Sequence, residues 1–284
     1  MDIWRFQELV KDEVTAKRYF RTLWQKKYRV FCHACGSRQS YLLSDGRRRC
    51  KRCRCVFHEG SGRWINLVKL SCREWLWVIH LFELNSTART AGKKLKLSYP
   101  TVLKAYDVIR MALLDSTASG RELLLSGEIE LDESYFGGKR KGKRGRGAAG
   151  KVPVFGLLER DGVACVEVVP DVSAQTLLSL TIKKVKRGSI VYTYKFHSYD
   201  SLMCCGYRHL TLDHGSTFAK GKVYINGLEG FWSYAKERLI KHHGVSKHKF
   251  FLYLKELEFR YNNREADLFS LIARCLLNFG PKRL

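Results

Sequence analysis

The chain is 284 residues long, enough for about two domains that each bury a core of their own. Its 52 lysines and arginines outnumber 27 acids, a formal charge of +25 spread along the chain. A polyanion, nucleic acid above all, is the expected partner, with a merely basic housekeeping protein as the plainer alternative. The longest uncharged apolar run, residues 75–82, is too short to cross a bilayer, and the first turns are too charged for a secretory signal. No membrane partner and a cytoplasmic location are therefore expected.

In chain order, residues 3–24 (IWRFQELVKDEVTAKRYFRTLW) set apolar side chains at helical spacing, with acids early and bases late. This predicts one amphipathic helix within an N-terminal segment, 1–26. Residues 27–62 follow as a metal-binding module. Ten cysteines in such a chain suggest thiolate ligation before disulfides. Cys32-x2-Cys35 and Cys50-x2-Cys53 are two knuckles separated by 14 residues, close to zinc-ribbon spacing. Four thiolates complete a tetrahedral structural Zn²⁺ site, and a segment with so little apolar content would draw much of its stability from the ion. Cys55, His33 and His58 are read as bystanders. Arg47, Arg48, Arg49, Lys51, Arg52 and Arg54 form a basic rim round the second knuckle that suits phosphate contact, against the plainer reading of a solvated face.

Residues 63–118 hold three helical stretches, CREWLWVIHLFELN, STARTAGKKLKL and SYPTVLKAYDVIRMALL. Ser86 and Ser98 are expected N-caps, and Pro100 falls in the permissive first turn of the third helix. The pattern suits a helix-turn-helix with its third element free for the major groove, an ordinary three-helix bundle being the alternative. Trp75 and Trp77 are read as core. The small residues 116–120 mark a linker, and 119–284 a second domain.

Beyond the linker, strands are expected at 128–135, 152–159, 163–169 and 189–194, with a helix near 174–185. That order predicts an α/β domain, a mixed sheet covered by helices. The loop GGKRKGKRGRGAAGK (137–151) lacks the Gly-Lys-Ser/Thr ending of a phosphate-cradling loop and reads as a basic arm for a nucleic-acid backbone. Residues 225–239 predict a helix carrying Glu229 and, seven positions on, Lys236, on one face and about 10 Å apart. Residues 248–264 predict another helix with a core-facing aromatic and leucine side, and 265–284 one more short helix. Asp132, in the strand-like GEIELDESYFGGK, and Glu229 on the later helix are acids that can converge on divalent metal for phosphoryl transfer.

These pieces in this order resemble the DDE transposases of bacterial insertion sequences, specifically the IS1595 family with its N-terminal zinc ribbon. The resemblance covers nearly the whole chain: the CHACGS and CKRC knuckles, ELDESYFGGK, KVPVFGLLERDG, VYT with KFHSYDSL, and NGLEGFWSYAKERL with the distal FRYNNR. It implies a ribonuclease-H-like catalytic domain. In that fold an Asp on the first strand, an Asp just after the fourth and an acid on a later helix hold two Mg²⁺ or Mn²⁺ ions, about 4 Å apart across an in-line displacement. Asp132 matches the first position, Glu229 the third, and Lys236 the lysine that family members carry two turns later. Strand alternation turns Glu133 to the opposite face, so it is not counted. At the second position this chain has Tyr194, 35 positions before Glu229, where the family has Asp. A phenol, with an ordinary pKa of about 10, is neutral at pH 7 and a poor Mg²⁺ ligand. Asp200 and Asp213 are the nearby acids that could stand in.

The resemblance also implies double-stranded DNA as partner (the element's terminal inverted repeats and its target), a homo-oligomer on that DNA, and a place at the bacterial nucleoid. The expected function is metal-dependent DNA cleavage and strand transfer by an insertion-sequence transposase, impaired in this copy by Tyr194. A non-catalytic DNA-binding repressor of the element is the alternative, and a ribonuclease-H-like nuclease without transposition a third.

Overall fold

In the computed structural model, which describes residues 1–25, 31–58, 60–118, 124–137, 151–194, 197–212, 224–278 and 280, the N-terminal run forms two helices where its periodicity predicts one. Helix α1 (Ile3–Leu9) ends at Val10, and α2 (Glu13–Gln25) starts afresh. The break lies at Asp12, whose Oδ1 accepts from the Thr15 N–H at 2.7 Å. A carboxylate that satisfies an orphan N–H starts a new helix at that point.

The chain divides into two compact units, Met1–Thr117 with Glu265–Leu284, and Ala118–Arg264. In the first, α1 and α2 lead to a three-stranded antiparallel ribbon of β1 (Ser40–Leu42), β2 (Arg48–Cys50) and β3 (Val56–Phe57). Three helices follow: α3 (Cys72–Glu83), α4 (Ala88–Leu95) and α5 (Tyr99–Ala118). A capping box of Ser71 and Glu74 starts α3. The α4 cap is Thr87, not Ser86: its hydroxyl takes the Thr90 N–H at 3.2 Å. Ser98 does cap α5, accepting from Thr101 N–H at 3.3 Å. Lys96, left-handed at φ 55°, turns the chain between α4 and α5, and Gly92 lets the Leu97 carbonyl come within 3.0 Å of where a Cβ would stand. Because α5 runs to Ala118, the first small residues of the expected linker are helical. Trp75 is buried, and Trp77, half-buried, meets the Phe6 ring edge-on at 4.7 Å. The final helix α9 (Leu268–Leu276) packs against α2 and α3, with Phe269 edge-on to Phe6.

The second unit holds β4 (Glu128–Phe136), β5 (Val152–Glu159), β6 (Ala164–Val168), α6 (Ala174–Lys184), β7 (Ile190–Tyr194), β8 (Arg208–Leu212), α7 (Asn226–Ile240) and α8 (Lys247–Asn262). The sheet order is β6-β5-β4-β7-β8. Strands β4, β5 and β6 form an antiparallel meander, while β7 and β8 add on parallel to β4. Helix α6 makes the crossover. A meander extended by parallel strands, with helices on both faces, is the ribonuclease-H-like arrangement. Alternation along β4 feeds both layers. Ile129 and Leu131 join Phe155, Leu157 and Leu177 of α6 on one face. On the other, Phe136 joins Val154, Tyr192 and the α7 residues Leu228, Phe231 and Trp232. No described helix is long and apolar enough to cross a membrane.

Candidate functional site

The four knuckle cysteines come together as their spacing predicts. The Sγ atoms of Cys32, Cys35, Cys50 and Cys53 all lie within 4.8 Å of one another, with Cys32 and Cys53 at 3.5 Å and Cys35 and Cys50 at 3.6 Å. Four sulfurs about 2.3 Å from a shared tetrahedral ion stand about 3.8 Å apart, so the cluster can hold a metal. The knuckles share one backbone pattern. Gly36 N–H donates to Cys32 O and Cys32 N–H to Ser37 O, while Arg54 N–H donates to Cys50 O and Cys50 N–H to Cys55 O. Each knuckle closes on a left-handed residue, Gly36 at φ 73° and Arg54 at φ 61°. The Cys53 N–H, directed at the Cys50 sulfur, helps pull that thiol down to about 6, toward the thiolate a metal needs. His33, His58 and Cys55 fall outside the group. Arg47, Arg49, Lys51, Arg52 and Arg54 are exposed around it, and Arg47 is paired with Asp45 at 2.6 Å.

In the second unit, the residues proposed from the sequence for metal chemistry meet on the α7 face of the sheet. Parallel strands β4 and β7 set Glu130 opposite Tyr192; two residues further along each come Asp132 and Tyr194. Helix α7 lies across them because two glycines allow it. A Cβ on Gly156 would come within 2.5 Å of Leu228 Cδ2 and Trp232 Cζ2, and one on Gly227 within 2.4 Å of Leu158 Cδ2. Asp132 Oδ2 accepts from Trp232 Nε1–H at 3.0 Å. Burial, with the nearby Glu133 and Glu229 charges, lifts the Asp132 carboxyl to about 7, against the opposing pull of the Trp232 N–H. The Tyr194 phenol donates to Glu229 Oε1. Burial and that carboxylate push the phenol's pKa up, so the phenol holds its proton. Glu229 is exposed, and Lys236, two turns on, is exposed with its Nζ 6.0 Å from the Phe136 ring centre. Glu133 faces away and accepts from Tyr199 Oη at 2.7 Å. Asp200 lies in the 3-10 helix His197–Cys205, with its side chain outside the described residues; Asp213 and the basic loop 138–150 also lie outside them.

Residues 124–262 match the ISXO2-like transposase domain. A transposase-like protein of Haemophilus influenzae is 48% identical over 98 residues, 34% of this chain and 80% of its own length. The chain belongs to the IS1595 family of ISXO2-like transposases. A protein of the transposable element ISH50 in Halobacterium salinarum is 28% identical over 278 residues, 88% of this chain and 92% of that one. Among solved structures, the Mos1 Strand Transfer Complex aligns with 74% of this chain and 79% of that chain at 12% identity, with a TM-score of 0.34.

For this transposase the sequence reading missed three residues that tie the acid strand to the acid helix. Glu130, 1% exposed, sits two positions before Asp132 and accepts the Leu228 N–H at 2.9 Å. It caps α7 from the sheet, since the helix has no side-chain cap of its own. Arg160 reaches Glu130 at 3.3 Å and Glu128 at 2.6 Å, its guanidinium 3.8 Å from the ring centres of both Tyr192 and Tyr224. Trp232 is the third. An acid at every second position from 128 to 132 is the signal that could have found Glu130, and the three-residue step from Glu229 to Trp232 the one for the indole.

Proposed function

We propose that this IS1595-family transposase binds duplex DNA at the ends of its element and, as its sequence stands, cleaves that DNA poorly or not at all. The observation that carries the reading is the acid cluster with a tyrosine in it. Asp132 and Glu229 stand on one face, as two-metal phosphoryl transfer requires, yet the third group is a neutral phenol bonded to Glu229. Two carboxylates, each already accepting a hydrogen bond from a neutral donor, do not make a site for two hard dications, which prefer carboxylate, phosphate and water oxygens. The residues present therefore do not fit the Mg²⁺ or Mn²⁺ pair that the family implies.

The DNA-binding role is assigned to residues 27–118. The cysteine ribbon would hold Zn²⁺, its exposed arginines would meet phosphates, and α4 and α5 would present Arg89, Lys93, Lys94 and Lys104 to the duplex. A protein that occupies element ends without cutting them competes with active copies, so repression is the second reading, favoured by the same tyrosine.

The test is cleavage of end-containing DNA in Mg²⁺ or Mn²⁺ by the unaltered protein and by Tyr194→Asp, with Asp132→Ala and Glu229→Ala added to the latter as controls. The expected result is cleavage by the aspartate variant alone. Robust cleavage by the unaltered protein, or none by the variant, would refute the reading.

A further inference from the structure

Loss of a ligand and the presence of a substitute are different defects, and the acid cluster shows the second. Each carboxylate of interest has a neutral donor built against it. Trp232, 4% exposed and seated over Gly156, gives its indole N–H to Asp132 Oδ2. Tyr194, on a strand whose register with β8 runs through the Tyr194–Leu212 pair, gives its hydroxyl to Glu229 Oε1. A buried carboxylate needs either a cation or hydrogen-bond donors, and Asp132 has the indole N–H; Glu229, though exposed, has one oxygen taken by the phenol.

We propose that the Tyr194 hydroxyl occupies the cation's place at Glu229, so that the centre is closed without divalent metal. The inference rests on the reading of Asp132 and Glu229 as a degenerate metal site, and it adds a second barrier to the missing carboxylate. An incoming ion must break the phenol–Glu229 bond before it reaches that oxygen, while Trp232 keeps one oxygen of Asp132. The two barriers separate chemically. Phenylalanine at 194 keeps the ring and removes only the hydroxyl; aspartate removes both barriers.

The experiment uses the full-length protein with the ribbon's metal retained and no chelator, and titrates Mn²⁺ by electron paramagnetic resonance alongside the thermal midpoint. The unaltered protein should bind Mn²⁺ negligibly, with no shift in midpoint. Tyr194→Phe should bind several-fold more tightly than the unaltered protein. Tyr194→Asp should bind at least about tenfold more tightly, the scale on which loss of even an outer partner weakens a metal site, and its midpoint should rise with Mn²⁺. Equal affinity in Tyr194→Phe and the unaltered protein overturns the proposal, because the hydroxyl then blocks nothing. So does Mn²⁺ binding by the unaltered protein, or none by Tyr194→Asp. The underlying reading fails separately, by DNA cleavage in the unaltered protein.

Discussion

At the scale of single residues, Asp132 and Tyr194 show how neighbours set the chemistry of a side chain. Asp132 sits against buried apolar surface and beside other acids, and its carboxyl rises from 3.8 to about 7. A carboxyl that titrates higher in the folded chain than in the unfolded one binds its proton more tightly when folded. Its contribution to stability is therefore complete below its unfolded value of about 4 and is lost as pH rises through about 7. Asp132→Asn, which cannot ionise, should lose less stability than the unaltered protein between pH 5 and pH 8, measured by urea midpoints. Parallel pH profiles would show that Asp132 does not titrate in that window. Trp232 limits the shift, because its N–H favours the ionised carboxylate.

At the scale of elements, the edge of the sheet explains a motif that the metal chemistry leaves unused. Strand β6 is an outer strand, and its free backbone groups are closed by side chains of α8. Asn262 Oδ1 accepts the Ala164 N–H and its Nδ2 donates to Ala164 O, both at 2.8 Å, while Glu258 Oε2 accepts the Val166 N–H at 2.7 Å. The match is metric: four residues along a helix rise about 6 Å, and two along a strand nearly 7 Å. Lys255 then neutralises Glu258 at 2.9 Å. An open edge would template pairing with another chain, and these bonds cover it. Asn262→Ala should cost about 1–3 kcal/mol in chemical denaturation, because a donor and an acceptor of Ala164 lose their partner together. Asn263→Ala, which removes one bond to Phe259 O within the helix, should cost less. The same logic applies to Gly156. An alanine there meets two buried side chains at once, so Gly156→Ala should destabilise by about 1–3 kcal/mol and displace Trp232, read as a shift in indole fluorescence.

For the whole molecule, net charge and the four-cysteine cluster dominate. A net charge of +25 predicts that DNA affinity falls steeply with salt, because each neutralised phosphate releases counterions. The full-length protein should retain a preference for the element's ends over random duplex across a salt titration. Equal affinity for both would confine the binding to charge. Metal analysis should find one zinc per chain, lost in Cys50→Ser, because the ribbon's buried residues are little more than Cys32, Cys50 and Phe57 and cannot hold it folded alone. Retention of zinc in that variant would place the ion elsewhere.

Local pattern alone determined much of this protein. Paired cysteine spacing specifies a ribbon because two short turns suffice to aim four sulfurs. Period-two and period-3.6 runs specify strands β4 to β7 and helices α6 to α8 of the second unit, though not the edge strand β8, and family motifs locate Asp132, Tyr194 and Glu229 along the chain. What tertiary structure decided are matters of approach between distant segments. Periodicity could not show that residues 3–24 break at Asp12, since one capping bond outweighs a continuous apolar stripe. Nor could it place α9 beside α2 and α3, where Phe269 meets the rings of Tyr19 and His80 across more than one hundred and eighty residues of chain. The donors to the acids were equally hidden. Trp232 reaches Asp132 and Tyr194 reaches Glu229 only because Gly156 and Gly227 let one helix press onto the sheet. Contacts of that kind depend on the distance between two surfaces, and sequence spacing carries no measure of it.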